Sequence, residues 1–404
     1  MTTVAPQPAS SPQDWARLLR RDALASGMRQ ARARTRSLID GLSDEQWHVP
    51  CQAGVNPIAW EAAHVAWFTE FWTLRGPHEA RADGFVHAAR PARHAGPDEI
   101  LDSARIGHPN RWQAPLPDRA RLHAMLDAQL EATLAALAAT HETDEALYPF
   151  RLSLFHEDMH CEAFVWLRQA LGYPAPDTLP RPKPSRNGTA RIDAGEALIG
   201  WPSDSPGFAF DNEQPALRRA LTAFEIDVSP VSNAQFQVFV DAGGYDRTSL
   251  WPAEAGRWRA QRSDAHPSHW RRGPDGWQSR RFDRWAALIP DEPVMHVNAF
   301  EAEAYCRWVG RRLPGAAQWE RAASAGALDW GGSVWEWTAD SFEPYPGFRP
   351  GPYKDYSAPW FGSHREARGG AFVAHERMHH PRYRNFFLPH RCDLFTGFRT
   401  ARTL

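Results

Sequence analysis

His156 and His160 stand four residues apart in the run 154–163, LFHEDMHCEA. Helical spacing would put both imidazoles on one face, one turn apart. A helix offers two nitrogen ligands to one metal ion in this way. The same letters satisfy H-E-x-x-H, the zinc-protease signature. The pair is equally compatible with two solvated side chains near a helix end. A third ligand decides, because an open catalytic centre holds its metal through three protein ligands and leaves positions for substrate.

The elements that must carry such ligands follow from the apolar spacing. Residues 13–40 read as a helix, with Trp15, Leu18, Leu19, Ala23, Met28 and Leu38 as its apolar stripe. The segment 42–47 reads as a turn and a short helical cap. Asn56-Pro57 opens a second helix, Pro suiting its first turn. On it His64 lies four residues after Trp60 and three before Trp67, so it faces inward among aromatics. That places it as a satisfied core histidine or as the third ligand. Residues 76–117 are rich in Gly, Pro, His and Arg and read as a long excursion, a kind of segment that is often functional. A third helix starts at Pro117-Asp118-Arg119. Thr143-Asp144 caps a fourth, which carries His156 and His160 and stops at Gly172. Four amphipathic helices over 13–172 make a bundle, and bundles build metal sites from inward side chains on facing helices.

The remainder changes character. Residues 1–12 read as a disordered polar tail and 173–186 as a Pro-rich linker. From 187 to 404, helical periodicity survives only at 299–310 and 316–325, and short apolar runs are punctuated by Gly, Pro, Trp and Asp. The chain is therefore α+β, a bundle followed by a domain with little regular secondary structure. Twelve of the 19 tryptophans lie beyond residue 200, which points to an irregular, aromatic-filled core. A formal net charge of −2 gives no polyanion-binding surface, so no nucleic-acid partner is expected. No apolar run reaches 18 residues and no membrane span is expected. The tail lacks an apolar signal core, and the four cysteines lack paired spacing. Both observations suit a cytoplasmic protein with reduced thiols.

The second half resembles the formylglycine-generating-enzyme-like, or sulfatase-modifying-factor, domain, a C-type-lectin-like fold. The residues that carry this are 293–314 (PVMHVNAFEAEAYCRWVGRRLP), 318–323 (QWERAA), 332–338 (GSVWEWT), 368–372 (RGGAF) and 397–399 (GFR). The first half resembles a DinB-like four-helix bundle. Together they resemble the non-haem iron sulfoxide synthases of ergothioneine biosynthesis and their selenoneine-forming relatives. Closer marks are 345–348 (YPGF), 353–357 (YKDYS) and 383–389 (YRNFFLP).

That resemblance implies an iron(II) cofactor held by three histidines. One lies in a stretch like 57–68 (PIAWEAAHVAWF), which makes it His64, and the others match His156 and His160. It implies an oxygen-dependent oxidoreductase that joins a thiol or selenol to the imidazole carbon of hercynine. The partners are then hercynine, a selenosugar or thiol donor, and O2, for a chain acting as a monomer or small homo-oligomer. A tyrosine of the second domain serves the family as proton or electron donor. Tyr345, Tyr353 and Tyr356 are the candidates here, Tyr353 favoured. Asn385 matches a family Asn and is the candidate for the hercynine carboxylate. Phe386 is the candidate aromatic wall for its trimethylammonium group. Phe387 and Met159 complete the hercynine set, and both depart from the ergothioneine branch. Met159 stands where that branch can carry Gln, and Phe387 where it can carry the Asp that contacts γ-glutamylcysteine. The excursion 102–112 (DSARIGHPNRW) looks like the selenoneine branch, with Ser103, Arg105, His108, Arg111 and Trp112 as candidate donor-binding residues. Two other readings remain. One is a non-catalytic lectin-like module. The other is a formylglycine-generating oxidase, whose copper site would need Cys306 and Cys392.

Overall fold

The computed structural model describes residues 12–404. The tail expected over 1–12 lies outside that range except for Pro12. The chain divides into two compact units. The first runs to Asp177 and takes in Pro206–Phe208; the second holds Thr178–Ser205 and Ala209–Leu404.

The first unit is built on four helices: α1 (Arg21–Asp40), α2 (Ile58–Leu74), α3 (Arg119–Ala138) and α4 (Asp144–Leu171). α1 does not reach back to residue 13 as its apolar stripe suggests. A 3-10 turn, Pro12–Leu18, precedes it, and Arg20 is extended. The break is held by two anchors. Arg151 Nε donates to the Leu19 carbonyl at 3.0 Å, and the Arg21 amide donates to Glu142 at 3.0 Å. The other ends follow their capping residues. Asp118 accepts from the Arg121 amide at 2.8 Å, and Thr143 caps α4. Gly172 closes α4 with φ 67°, a left-handed turn that glycine adopts without a Cβ penalty.

α2 is buried on every face from Ile58 to Trp72. A helix apolar all round belongs at the centre of a structure, and α2 packs against both α3 and α4. Each buried Trp or Phe contributes on the order of 2 kcal/mol by leaving water. The segment after α2 is ordered by polar side chains of α2 and its C-cap. Glu70 collects the amides of Arg93, His94 and Ala95 at 2.6–3.2 Å. Asp98 accepts from Trp67 Nε1 at 2.8 Å and from Arg75 at 2.6 and 3.0 Å. Within the excursion lie a hairpin of β1 (His78–Ala80) and β2 (Val86–Ala88), a helical turn Asp98–Leu101, and a 3-10 turn His108–Trp112.

The second unit holds four small sheets. β3 (Thr189–Ile192) and β14 (Ala401–Thr403) flank β6 (Phe224–Asp227), and β4 (Gly195–Ile199) pairs with β5 (Leu217–Leu221). β7 (Trp270–Gly273), β8 (Gly276–Arg281) and β9 (Arg284–Ala287) form a meander. The central sheet has the order β12 (Asn385–Phe387), β11 (Arg365–Gly369), β10 (Trp335–Ser341), β13 (Thr396–Gly397). Its helices are α5 (Asn233–Asp241), α6 (Ala253–Ala260), α7 (Ala299–Trp308) and α8 (Ala316–Ser324). The sequence shows α7 and α8; α5 and α6 are additional, and both are short. The core is stitched by buried ion pairs. Glu336 accepts from Trp319 Nε1 at 2.8 Å and binds the Arg399 guanidinium. Glu366 bridges Arg368 at 2.6 Å and Arg384 at 2.7 Å. The four cysteines are free thiols.

Candidate metal centre

The first unit brings His64, from the middle of α2, against His156 and His160, on consecutive turns of α4. One ligand atom from each lies within 4.8 Å of the others. Among the described residues no other group of three His, Cys, Asp or Glu side chains converges in this way. The ring centroids of His64 stand 5.1 Å from His156 and 5.0 Å from His160.

Two of the three rings are oriented by acceptors outside the cluster. His64 Nδ1 lies 2.6 Å from the Leu101 carbonyl oxygen. His160 Nδ1 lies 2.8 Å from Glu61 Oε1. Both partners can only accept, so each Nδ1 carries the proton and each Nε2 keeps its lone pair. Stacking sets the planes. Trp60 lies 4.9 Å from His64 at 9°, and Phe68 lies 3.5 Å from His156 at 5°. Burial pushes His64 and His156 well below the ordinary imidazole range, and the neighbouring His160 imidazole adds to it. Neutral imidazoles converging through fixed lone pairs are the form in which histidine binds a divalent metal.

The zinc-protease reading of the pair fails on Glu157. A protease would need that carboxylate beside the metal as a general base. Here it is buried on another side of α4, accepting from Arg32 Nε at 2.8 Å and from Thr35 Oγ1 at 2.8 Å. Met159, between the two histidines, is half-buried.

Three of the five excursion residues suggested for a donor, His108, Arg111 and Trp112, are packed onto the segment that precedes α2. His108 Nε2 lies 2.8 Å from the Val55 carbonyl, and Trp112 Nε1 donates to Val49 at 2.7 Å. Arg111 donates to Asn56 Oδ1 at 2.8 Å and lies 4.0 Å over the Trp60 ring. The Ser103 carbonyl accepts from Arg111 at 3.5 Å, and Arg105 pairs with Asp102 at 3.2 Å.

In the second unit, β12 sets its side chains alternately on two faces. Phe386 stacks on Phe342 at 4.1 Å and 14°, with Tyr356 at 5.4 Å and His364 at 5.8 Å. Phe387 turns the other way and is buried against Trp337 at 6.2 Å. Asn385 Oδ1 accepts from the Phe386 amide at 2.9 Å. Among the tyrosines, Tyr345 is tied into the core. Its hydroxyl accepts from Arg368 at 3.1 Å, and burial pushes it up to about 12. Tyr353 stacks on Tyr356 at 6.0 Å, and the Tyr356 hydroxyl meets that of Tyr383 at 2.6 Å. Cys306 is buried and Cys392 contacts Ser268 at 3.2 Å.

Sequence reasoning passed over Glu61. Its signal was present, since Glu61 stands three residues before His64 and so on the same face of α2.

A helical unit that holds the three-histidine cluster, followed by a unit of small sheets, defines the class. Residues 28–167 match the DinB superfamily, and residues 174–330 and 325–404 match the sulfatase-modifying factor enzyme 1-like domain. The chain is 31% identical over 443 aligned positions to a hercynine oxygenase of Mycolicibacterium smegmatis, covering 95% of this chain and 99% of that one. It is 30% identical over 428 positions to a hercynine oxygenase of Mycobacterium tuberculosis, covering 94% and 98%. A formylglycine-generating enzyme of Streptomyces coelicolor is 28% identical over 279 positions, covering 51% of this chain and 84% of its own length. The chain is thus a two-domain oxidoreductase, which excludes the non-catalytic lectin-like reading. It belongs to the hercynine oxygenase family. No helix among the described residues is long and apolar enough to cross a membrane.

Proposed function

We propose that this chain uses iron(II) and O2 to form a carbon–selenium bond between a selenosugar and the imidazole carbon of hercynine. The observation that carries the iron reading is the convergence of His64, His156 and His160, with two Nδ1 protons held from outside. These three residues would hold the metal. Iron(II) in a three-histidine site supplies open positions and the one-electron chemistry that O2 requires. The reaction balances with one O2. The imidazole C–H and the Se–H bonds break, the C–Se bond forms, one oxygen leaves as water and the other stays on selenium.

The chain's own residues have separable tasks. Phe386, backed by Phe342, Tyr356 and His364, offers an aromatic face to the trimethylammonium group. The Asn385 amide is the donor for the hercynine carboxylate. Tyr353 is the proton donor of choice, because the Tyr345 hydroxyl is committed to Arg368. Met159 and Phe387 remove the polar side chains that a γ-glutamylcysteine enzyme of the family would place there.

A second reading has its own support. The similarity to mycobacterial hercynine oxygenases favours C–S coupling of γ-glutamylcysteine or cysteine to hercynine, an ergothioneine sulfoxide synthase. Competition separates the two. Iron-loaded protein with hercynine receives equal γ-glutamylcysteine and selenosugar, with the thiosugar as control, and then air. The selenosugar adduct is expected to dominate the products read by mass. Predominant γ-glutamylcysteine adduct would overturn the selenium assignment.

A further inference from the structure

His160 is the ligand whose outer nitrogen meets a charged side chain. Glu61 is 1% exposed, and its Oε1 accepts from His160 Nδ1 at 2.8 Å. Its second oxygen accepts from Asn56 Nδ2 at 3.3 Å. Asn56 Oδ1 in turn accepts from Arg111 at 2.8 Å. The same Arg111 guanidinium lies 4.0 Å over Trp60, which stacks on His64 at 4.9 Å. Trp60 is tethered by Nε1 to the Ile100 carbonyl at 2.8 Å, next to the Leu101 carbonyl that holds His64. One cation from the excursion therefore braces two ligands, His160 through a hydrogen-bonded chain and His64 through a stacked ring.

We infer that Glu61 is the positioning residue for His160, and that Asn56 and Arg111 fix Glu61 so that the metal meets a pre-aimed, electron-rich imidazole. The physical reason is general. A carboxylate on the far nitrogen fixes tautomer and ring plane and raises ligand basicity, and losing it costs about tenfold to a hundredfold in metal affinity. A neutral carbonyl on His64 orients without adding charge, so the two ligands differ in donor strength. The inference also gives Arg111 a task independent of any donor molecule.

The inference rests on the three-histidine metal reading, so its test uses a metal alone. Co(II) is titrated into parent, E61Q, N56A and H160A proteins, and affinity is read from the visible d–d bands. E61Q keeps the shape but removes the charge, and is expected to weaken Co(II) about tenfold to a hundredfold and to shift the bands. N56A is expected to weaken binding less, and to add nothing in the E61Q background. E61Q is expected to add nothing in the H160A background. Tight Co(II) binding by parent and E61Q alike, with identical bands, would overturn this inference and leave the metal site standing. No Co(II) binding by the parent, or parent bands unaffected by H160A, would overturn the metal site and this inference with it.

Discussion

On the proposed three-histidine iron site, His156→Ala is expected to lower bound iron from one per chain to less than a tenth, and to lower turnover at least roughly a thousandfold. The expectation rests on how this ligand is built in. His156 is 2% exposed and stacked on Phe68 at 3.5 Å, in the middle of an α4 stretch that is buried from Phe150 to Asp158. Losing a carboxylate behind a ligand costs about tenfold to a hundredfold in affinity, and losing the ligand itself costs more. His64→Ala and His160→Ala are expected to behave alike. Iron content after anaerobic loading and desalting, with turnover on the same samples, checks all three. Truncating His156 also leaves a cavity costing about 2–5 kcal/mol, so His156→Gln, closer in size, serves as the fold-preserving control and should lose iron as well.

The second large effect falls on stability. Glu366→Leu is expected to destabilise the second unit by about 3–5 kcal/mol. Burial opposes ionisation of Glu366, but the guanidiniums of Arg384 and Arg368 hold its carboxyl below the usual range. Removing it takes a carboxylate from two fully buried cations and leaves Arg384 without an ion-pair partner among the described residues. Arg368 keeps Glu320 at 3.1 Å, whereas Arg384 is left with neutral partners, the carbonyls of Asn212 and Glu343 and the Tyr345 ring at 4.1 Å. A midpoint fall of roughly 10 °C in thermal unfolding is the expected reading. Glu79→Gln removes a solvated pair with Arg81 and is expected to change stability by less than about 1 kcal/mol. Equal effects from the two substitutions would refute the buried-network account.

The parts of this molecule legible in the sequence are those written in period or in capping chemistry. The 3.6-residue spacing around His64 and the four-residue step from His156 to His160 place three imidazoles inward on facing helices. Thr143 and Gly172 mark the ends of α4 because one fills an orphan amide and the other accepts a left-handed turn. What escaped reading depends on partners distant in the chain. The break before α1 is made by Arg151 and Glu142, more than 100 residues away. α5 and α6, at nine and eight residues, are too short for a periodic signal. Glu61 was visible as a letter on the right face, but its task appears only once α4 brings His160 beside it. Phe386 and Phe387 both stand in the hercynine set that the resemblance implies, yet a strand sends neighbours to opposite faces, so only Phe386 joins the aromatic cluster with Tyr356.

On the proposed function, oxygen consumption by this protein requires hercynine. Oxygen uptake by iron-loaded protein, followed with and without hercynine in the presence of a chalcogen donor, measures this, with the products weighed by mass spectrometry. Negligible uptake is expected without hercynine. With it, the product should weigh hercynine plus donor plus one oxygen and minus two hydrogens. Uptake indifferent to hercynine, or oxidised donor with no hercynine-derived adduct, would contradict it.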